Sequence, residues 1–414
     1  MAEGRPLRVA AVGVSTTDPC GVRDHATLLA RGLVGEGIEC SLLWLEREGE
    51  QSPRRGIAAL RSWSEGLGAE LGRGGFEAVL WHYSVFSYAW RGIPLAVPTV
   101  LGALRETRLP LVGMLHEYAY PWRRGGLRGK AWSISQRLAL IELMRACRAV
   151  VVSDPERREW LARRPWLVRR PIGVAPVFSN LPCAGHPPGG EPELAGGEPR
   201  IGLFGYSHEA IEVELTLAAM AELERRGIAA RLLLAGAPGR DSAAGRRWLG
   251  AAGELGLARE PAFTGVLPAG ELAAALAACT VLVCVERPGP TPRKTTLAAS
   301  LSCGRPVVAI DGRLSWPELV RAGAALMVEP RAGALADALA GLLGDRRARA
   351  EQGERGRRFA AANMSVEHSA EVVAGMLRAS LGCGRASAEG EPRLRAGAAS
   401  NRALRRRVRR WRRG

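Results

Sequence analysis

The stretch VLVCVERPGPTPRKTTLAASLSCGRPVVAI, residues 281–310, reads as one complete structural unit. Its first five residues form the short apolar run expected of a buried strand. The loop ERPGPTP then breaks the run. Residues 295–303 follow with Leu297 and Leu301 four apart, on one face of a helix. Gly304 stops that helix, Pro306 lies just beyond, and a second apolar run starts at Val307. Strand, loop, helix, strand is a βαβ crossover. Arg293, Lys294, Thr295 and Thr296 crowd the point where the helix begins. A helix N-terminus carries unpaired N–H groups and partial positive charge, so two cations and two hydroxyls there make a seat for phosphate. The same local pattern also describes solvated loop cations with Thr295 as a cap.

Outward from this unit the pattern repeats in both directions. LRVAAVGVS, residues 7–15, predicts a buried strand, followed by a polar Gly loop with Gly21, an amphipathic helix, and a strand over 40–45. A helix is expected within 51–75, strands over 76–82 and 109–115, and a helix over 95–105 between them. His116, Glu117 and Tyr118 fall at the carboxyl end of the 109–115 strand, the edge where open α/β sheets bind ligands. Strands over 149–152 and 167–174 close this half. Residues 181–199 are rich in Gly and Pro without period and are expected to link two domains and to hinge. The pattern then restarts: a strand over 200–204, a loop containing Gly205 and Tyr206, a helix running to residue 226, and a strand over 230–234 with Gly236 after it. A short strand over 262–264 is ended by Gly265 and Val266, and a last helix is expected over 365–378. The loop after the first strand is not G-x-G-x-x-G, so the dinucleotide fingerprint is absent.

The 414 residues suffice for two domains, and 47% hydrophobic with 24% charged residues is ordinary globular composition. The net charge of +17 is not ordinary. Residues 391–414 hold ten Arg and one Glu, a contribution of +9, and the remainder carries +8. Such a balance favours anionic partners: nucleotide phosphates, anionic lipid or nucleic acid. In the tail, Leu404, Val408 and Trp411 recur at helical spacing among Arg405, Arg406, Arg407, Arg409 and Arg410, a pattern that suits either an anionic membrane surface or a disordered basic tail. Residues 122–132, with Arg123, Arg124, Arg128 and Lys130 between two tryptophans, offer a second membrane-facing segment or a solvated helix start. The eight cysteines include no C-x-x-C pair and no Cys/His cluster at zinc spacing, so no metal is assigned, and Cys279, Cys284 and Cys303 are expected as core residues. A reducing, cytoplasmic setting is expected, with no signal peptide and no apolar run of ~20 residues to span a membrane.

The flanking text SLSCGRPVVAIDGRLSWPELVRAGAALMVEP resembles the C-terminal half of family-4 GT-B glycosyltransferases. The shared features are Gly304, Pro306, Val307 and Val308, then Glu318, Leu319 and Gly323, then Val328 and Pro330, then Leu342, Leu343 and Asp345. The opening is similar to the family's C-G-I-x-D-Y-x-x-x-L-A-x-x-L segment at Cys20, Gly21, Val22, Asp24, His25, Leu29, Ala30 and Leu33. This resemblance implies an α/β protein of GT-B architecture, with two Rossmann-like domains whose parallel sheets face across a cleft. The expected divisions are an acceptor-side domain over 1–180, the linker, a nucleotide-sugar-binding domain over 200–363, a bracing helix over 364–383 and a basic tail over 384–414. It implies further that Gly21 approaches the donor, that His116 contacts the donor sugar, and that Gly265 and Val266 touch the nucleotide base. Glu117 would accept a proton or orient His116, or stand as a plain loop carboxylate. The aromatic segment WHYSVFSYAW carries His82 where the family has Gln. With Tyr83 and Tyr88 it would form an acceptor platform or a loop packed under its own rings.

The pattern is broken in two places. The family's E-x(7)-E pair falls here at Thr291 and Ala299, and Glu286 lies nearby but out of register. The Arg and Lys expected after the first strand of the second half are replaced by Tyr206, Ser207, His208 and Glu209. Arg293, Lys294, Thr296 and Leu297 fit a subset of the family with R-R-x-S/T-L, so these two cations are expected to take the pyrophosphate charge. The resulting expectation is a retaining glycosyltransferase using a nucleotide-sugar as co-substrate, with no cofactor and no metal, and a sugar, lipid-linked or small-molecule acceptor. The alternative is a catalytically reduced GT-B scaffold subunit. A nucleic-acid-binding role rests only on the Arg-rich tail and is disfavoured.

Overall fold

The computed structural model describes residues 5–16, 20–47, 53–122, 126–182 and 198–382. Most of the linker expected over 181–199, the tail over 384–414 with its arginines, and Arg123 and Arg124 lie outside the described residues. The first half builds a six-stranded sheet from β1 (Leu7–Ser15), β2 (Ile38–Glu46), β3 (Ala78–Ser84), β4 (Leu111–Glu117), β5 (Ala149–Val152) and β6 (Ile172–Val174). The strands run parallel in the order β2-β1-β3-β4-β5-β6. The second half builds β7 (Arg200–Phe204), β8 (Arg231–Ala235), β9 (Ala262–Gly265), β10 (Val281–Cys284), β11 (Val307–Ile310) and β12 (Leu326–Val328). These strands are also parallel, in the order β12-β11-β10-β7-β8-β9, which is the doubly wound Rossmann order.

Helices cover both faces of each sheet, which is why the central strands are apolar runs rather than alternating ones. Val9, Ala10, Ala11, Val12 and Val14 of β1 are all 1% exposed or less, as are Val281 and Leu282 of β10. The 281–310 unit folds as β10, the helix Thr295–Ser302, and β11, paired directly through Leu282–Val307, Val283–Val308 and Cys284–Ala309. The strand expected over 167–174 is shorter than its apolar text suggests. Pro171 has no N–H to give to a ladder, and pairing begins at Ile172.

The last helix, Val366–Gly382, leaves the second half and packs on the first. Ala370, Val373, Ala374 and Leu377 join Val9, Leu29, Leu80 and Val112 in one buried cluster. Ser369 Oγ donates to the Pro176 carbonyl at 3.1 Å, and Arg148 donates to the Ser380 carbonyl at 2.9 Å. Gly32 is required here, because a Cβ on it would meet Val366 Cγ1 at 2.5 Å. The two parallel sheets, each wound as a Rossmann-like domain, give the chain the GT-B fold.

Candidate functional site

Each sheet has one place where its strand order reverses, and a crevice opens there at the carboxyl edge. In the first sheet this lies between β1 and β3. Three histidines converge on it: His25 from the helix Gly21–Val34, His82 from β3 and His116 near the end of β4. One ring nitrogen from each lies within 4.8 Å of the other two. His82 Nδ1 and His116 Nε2 are 3.1 Å apart, close enough to share a proton as a hydrogen bond. His25 stacks on Phe178 at 4.4 Å between ring centroids and stands edge-on to His116 at 5.2 Å. His25 and His82 are buried, while His116 is partly exposed. Among the described residues neither ring nitrogen of His25 has a hydrogen-bond partner, nor has His82 Nε2. Burial pulls His25 down to about 4, and burial with the neighbouring His25 ring pulls His82 down to about 3. His116 lies well below its ordinary value through burial, then His25, His82 and Arg157. At neutral pH all three rings are therefore uncharged.

Glu117, next to His116, does not orient that ring. Both its oxygens accept from Arg157 Nη2 at 3.0 Å, and Oε1 accepts from Arg293 Nη2 at 2.9 Å. Arg157 also donates to the His116 carbonyl. Because β4 belongs to the first half and Arg293 to the second, the Glu117–Arg293 pair ties the two together. Val177 N adds a second tie, donating to the Pro292 carbonyl at 2.8 Å. The sequence offered no sign of Arg157. It lies in the first turn of the helix Pro155–Ala162, capped by Asp154, and nothing local says what it meets.

In the second sheet the order reverses between β7 and β10. Gly205 follows β7, and Glu286, Lys294 and Thr296 follow β10, so all four share this crevice. Gly205 has φ +78°, and a Cβ there would meet Thr296 Cγ2 at 2.7 Å. Glycine is thus needed both for the turn and for the approach of the helix. The helix Thr295–Ser302 has Lys294 at its N-cap with no side-chain cap, leaving its first N–H groups without a side-chain acceptor. Lys294 Nζ pairs with Glu286 Oε2 at 2.9 Å. A cavity beside them is lined by Phe204, Glu286, Pro290, Lys294 and Thr296.

The other expected site residues divide sharply. Gly236 (φ +89°) and Gly265 (φ +67°) face each other in an isolated bridge at the edge of the second sheet, and Val266 is 77% exposed. Nothing lies within 4 Å of a Cβ on Gly21, so its surroundings are open. Tyr206 is not available as a donor-binding side chain. It is 1% exposed, and its hydroxyl accepts from Gly239 N at 2.7 Å, which serves to hold the next loop. Tyr83 and Tyr88 form no acceptor platform. Both are at most 1% exposed in the first core, stacked on each other at 5.6 Å, and Tyr88 Oη accepts from Trp81 Nε1 at 2.7 Å. A dense aromatic run is strongly apolar, and here that outweighed its polar tips. Thr291 and Ala299, at the two glutamate positions, are buried. None of the described cysteines is in a disulfide.

Residues 198–345 match a family model described as "Glycosyl transferases group 1". No curated protein matches the chain in sequence. In structure the chain is similar to a sucrose-phosphate synthase from Thermosynechococcus elongatus (TM-score 0.65, 17% identity, 91% of this chain and 100% of that one). It is similar also to Anabaena HepE in complex with UDP and glucose (0.64, 14%, 89% and 99%). A third likeness is to an α,α-trehalose 6-phosphate synthase from Burkholderia multivorans (0.63, 14%, 94% and 100%). At these identities what is shared is the fold.

Proposed function

We propose that this protein is a glycosyltransferase that moves a sugar from a nucleotide-sugar donor to an acceptor with retention of configuration. The observation that carries this is the second crevice. An uncapped helix N-terminus, Lys294 and Arg293 stand together at the reversal point of the second sheet, with Arg293 paired to Glu117 of the first. A leaving nucleoside diphosphate gains charge as the sugar departs, and preorganised cations with helix-end N–H groups stabilise that charge. Gly205 and Gly265 leave partly exposed backbone for the nucleotide, with Val266 beside the base. Gly21 keeps the first crevice open for the sugar. The departing phosphate would help to take the acceptor proton. The family match over 198–345 and the UDP and glucose held by HepE support the substrate class.

The test is Arg293→Ala, assayed with UDP- and GDP-sugars. Loss of a charged hydrogen bond to phosphate predicts a roughly 10- to 100-fold fall in kcat/KM. Unchanged donor affinity and rate would remove the phosphate assignment.

One observation favours a second reading, a binding subunit with reduced catalysis: the buried Thr291 and Ala299 supply no carboxylate where the resembling pattern has two. Donor binding with neither hydrolysis nor transfer would select it.

For location we infer a peripheral site on an anionic membrane face. Trp122, Leu127, Ile134 and Leu138 are exposed on and just before the helix Gly126–Ala146, with Arg128 and Lys130 beside them. Among the described residues no helix is long and apolar enough to cross a membrane. Leu127→Glu with Ile134→Glu should abolish co-flotation with anionic vesicles; undiminished flotation would place the contact elsewhere.

A further inference from the structure

We propose that His25, His82 and His116 form a metal site for one divalent transition ion of the zinc class, its open coordination position on the His116 side. This does not rest on sugar transfer. It rests on four features of the cluster. The three ligands come from three separate elements, and the strand-order reversal of the first sheet brings them together. Their spacing suits a small ion. A tetrahedral ion with metal–nitrogen bonds of about 2.0–2.1 Å holds its ligand atoms about 3.3 Å apart. His82 Nδ1 and His116 Nε2 are already at 3.1 Å, and the whole set lies within 4.8 Å. Small side-chain rotations close the remainder.

The polar accounting points the same way. A neutral imidazole has one N–H and one lone pair to satisfy. His25 is buried with both nitrogens unpartnered among the described residues, yet one of them reaches into the cluster. Leaving such groups unsatisfied is costly, and a cation bound to the lone pair removes that half of the cost. The donor chemistry then selects the ion. Three imidazoles without a carboxylate among them suit zinc, cobalt, nickel or copper and not magnesium or calcium. Three protein ligands with one position open describes a site that holds water or a ligand hydroxyl.

The test uses the full chain, stripped with a chelator and titrated with Co2+ alone and with Zn2+ alone. The expected result is one ion per chain, with Co2+ giving the intense visible bands of tetrahedral coordination. In 15N-imidazole spectra of the unmutated protein, Zn2+ should shift the signals of three histidines and no others. His25→Ala and His116→Ala should each weaken binding by more than about 100-fold, exceeding the loss of an outer contact. His208→Ala and His368→Ala, away from the cluster, should bind as the parent does. The imidazole spectra keep the test valid if a cluster variant fails to fold. The proposal is overturned by absence of a stoichiometric ion on the folded parent, by octahedral Co2+ only, or by binding that survives both cluster variants. None of these outcomes touches the Arg293 measurement.

Discussion

His25 shows how one side chain couples folding to pH. Unfolded, its imidazole titrates near 6.5, while in the fold burial holds it at about 4. Between those values the unfolded chain binds the extra proton, so stability rises with pH there and falls as the solution is acidified. Below about 4 both states are charged and the dependence levels off. For His25 alone the loss amounts to about 3 kcal/mol, and His82 and His116 act in the same direction. In chelator-treated protein, the urea midpoint should therefore drop steadily from pH 7 to pH 4.5. A flat profile would mean that His25 and His82 are not buried as described.

The C-terminal helix Val366–Gly382 makes a comparable point about packing. It follows the second half in the chain, yet it supplies Val373, Ala374 and Leu377 to the core of the first domain. Truncating a fully buried leucine leaves a cavity that surrounding atoms refill only in part. Leu377→Ala should cost about 3 kcal/mol, read as a shift in denaturant midpoint with unchanged slope. If this helix were merely an appendage, the substitution would cost well under 1 kcal/mol. The helix Thr295–Ser302 is the opposite case: short, uncapped and held by its neighbours, with Gly205 admitting Thr296 on one side and Leu297 and Leu301 buried on the other. Its weak intrinsic start is what leaves N–H groups for an anion.

Across the two domains, the Glu117–Arg293 pair sets up a competition. The arginine expected to meet a diphosphate is held by a carboxylate from the opposite half, and the pair is partly exposed. An exposed ion pair contributes about 1 kcal/mol at most, which an incoming dianion can overcome. Glu117→Gln should raise affinity for UDP or GDP by up to about fivefold in calorimetry, because Arg293 no longer has to be released. Turnover should fall in the same variant if Glu117 also serves the sugar. Equal nucleotide affinity in both proteins would show that the pair does not compete.

The residues of 281–310 determined a βαβ unit by local rules alone: an apolar run, a Pro/Gly break, leucines four apart and a stop at Gly304. Repetition of that pattern was enough to specify two parallel sheets, since period and punctuation are properties of neighbouring residues. What met at the crevices was decided by tertiary structure. His25, His82 and His116 are far apart in the chain, and no spacing rule links them, because strand order rather than sequence order sets which loops adjoin. Burial was likewise not legible locally. Tyr83, Tyr88 and Tyr206 carry the same polar tips inside a core as they would on a surface, and only their neighbours determine which they occupy.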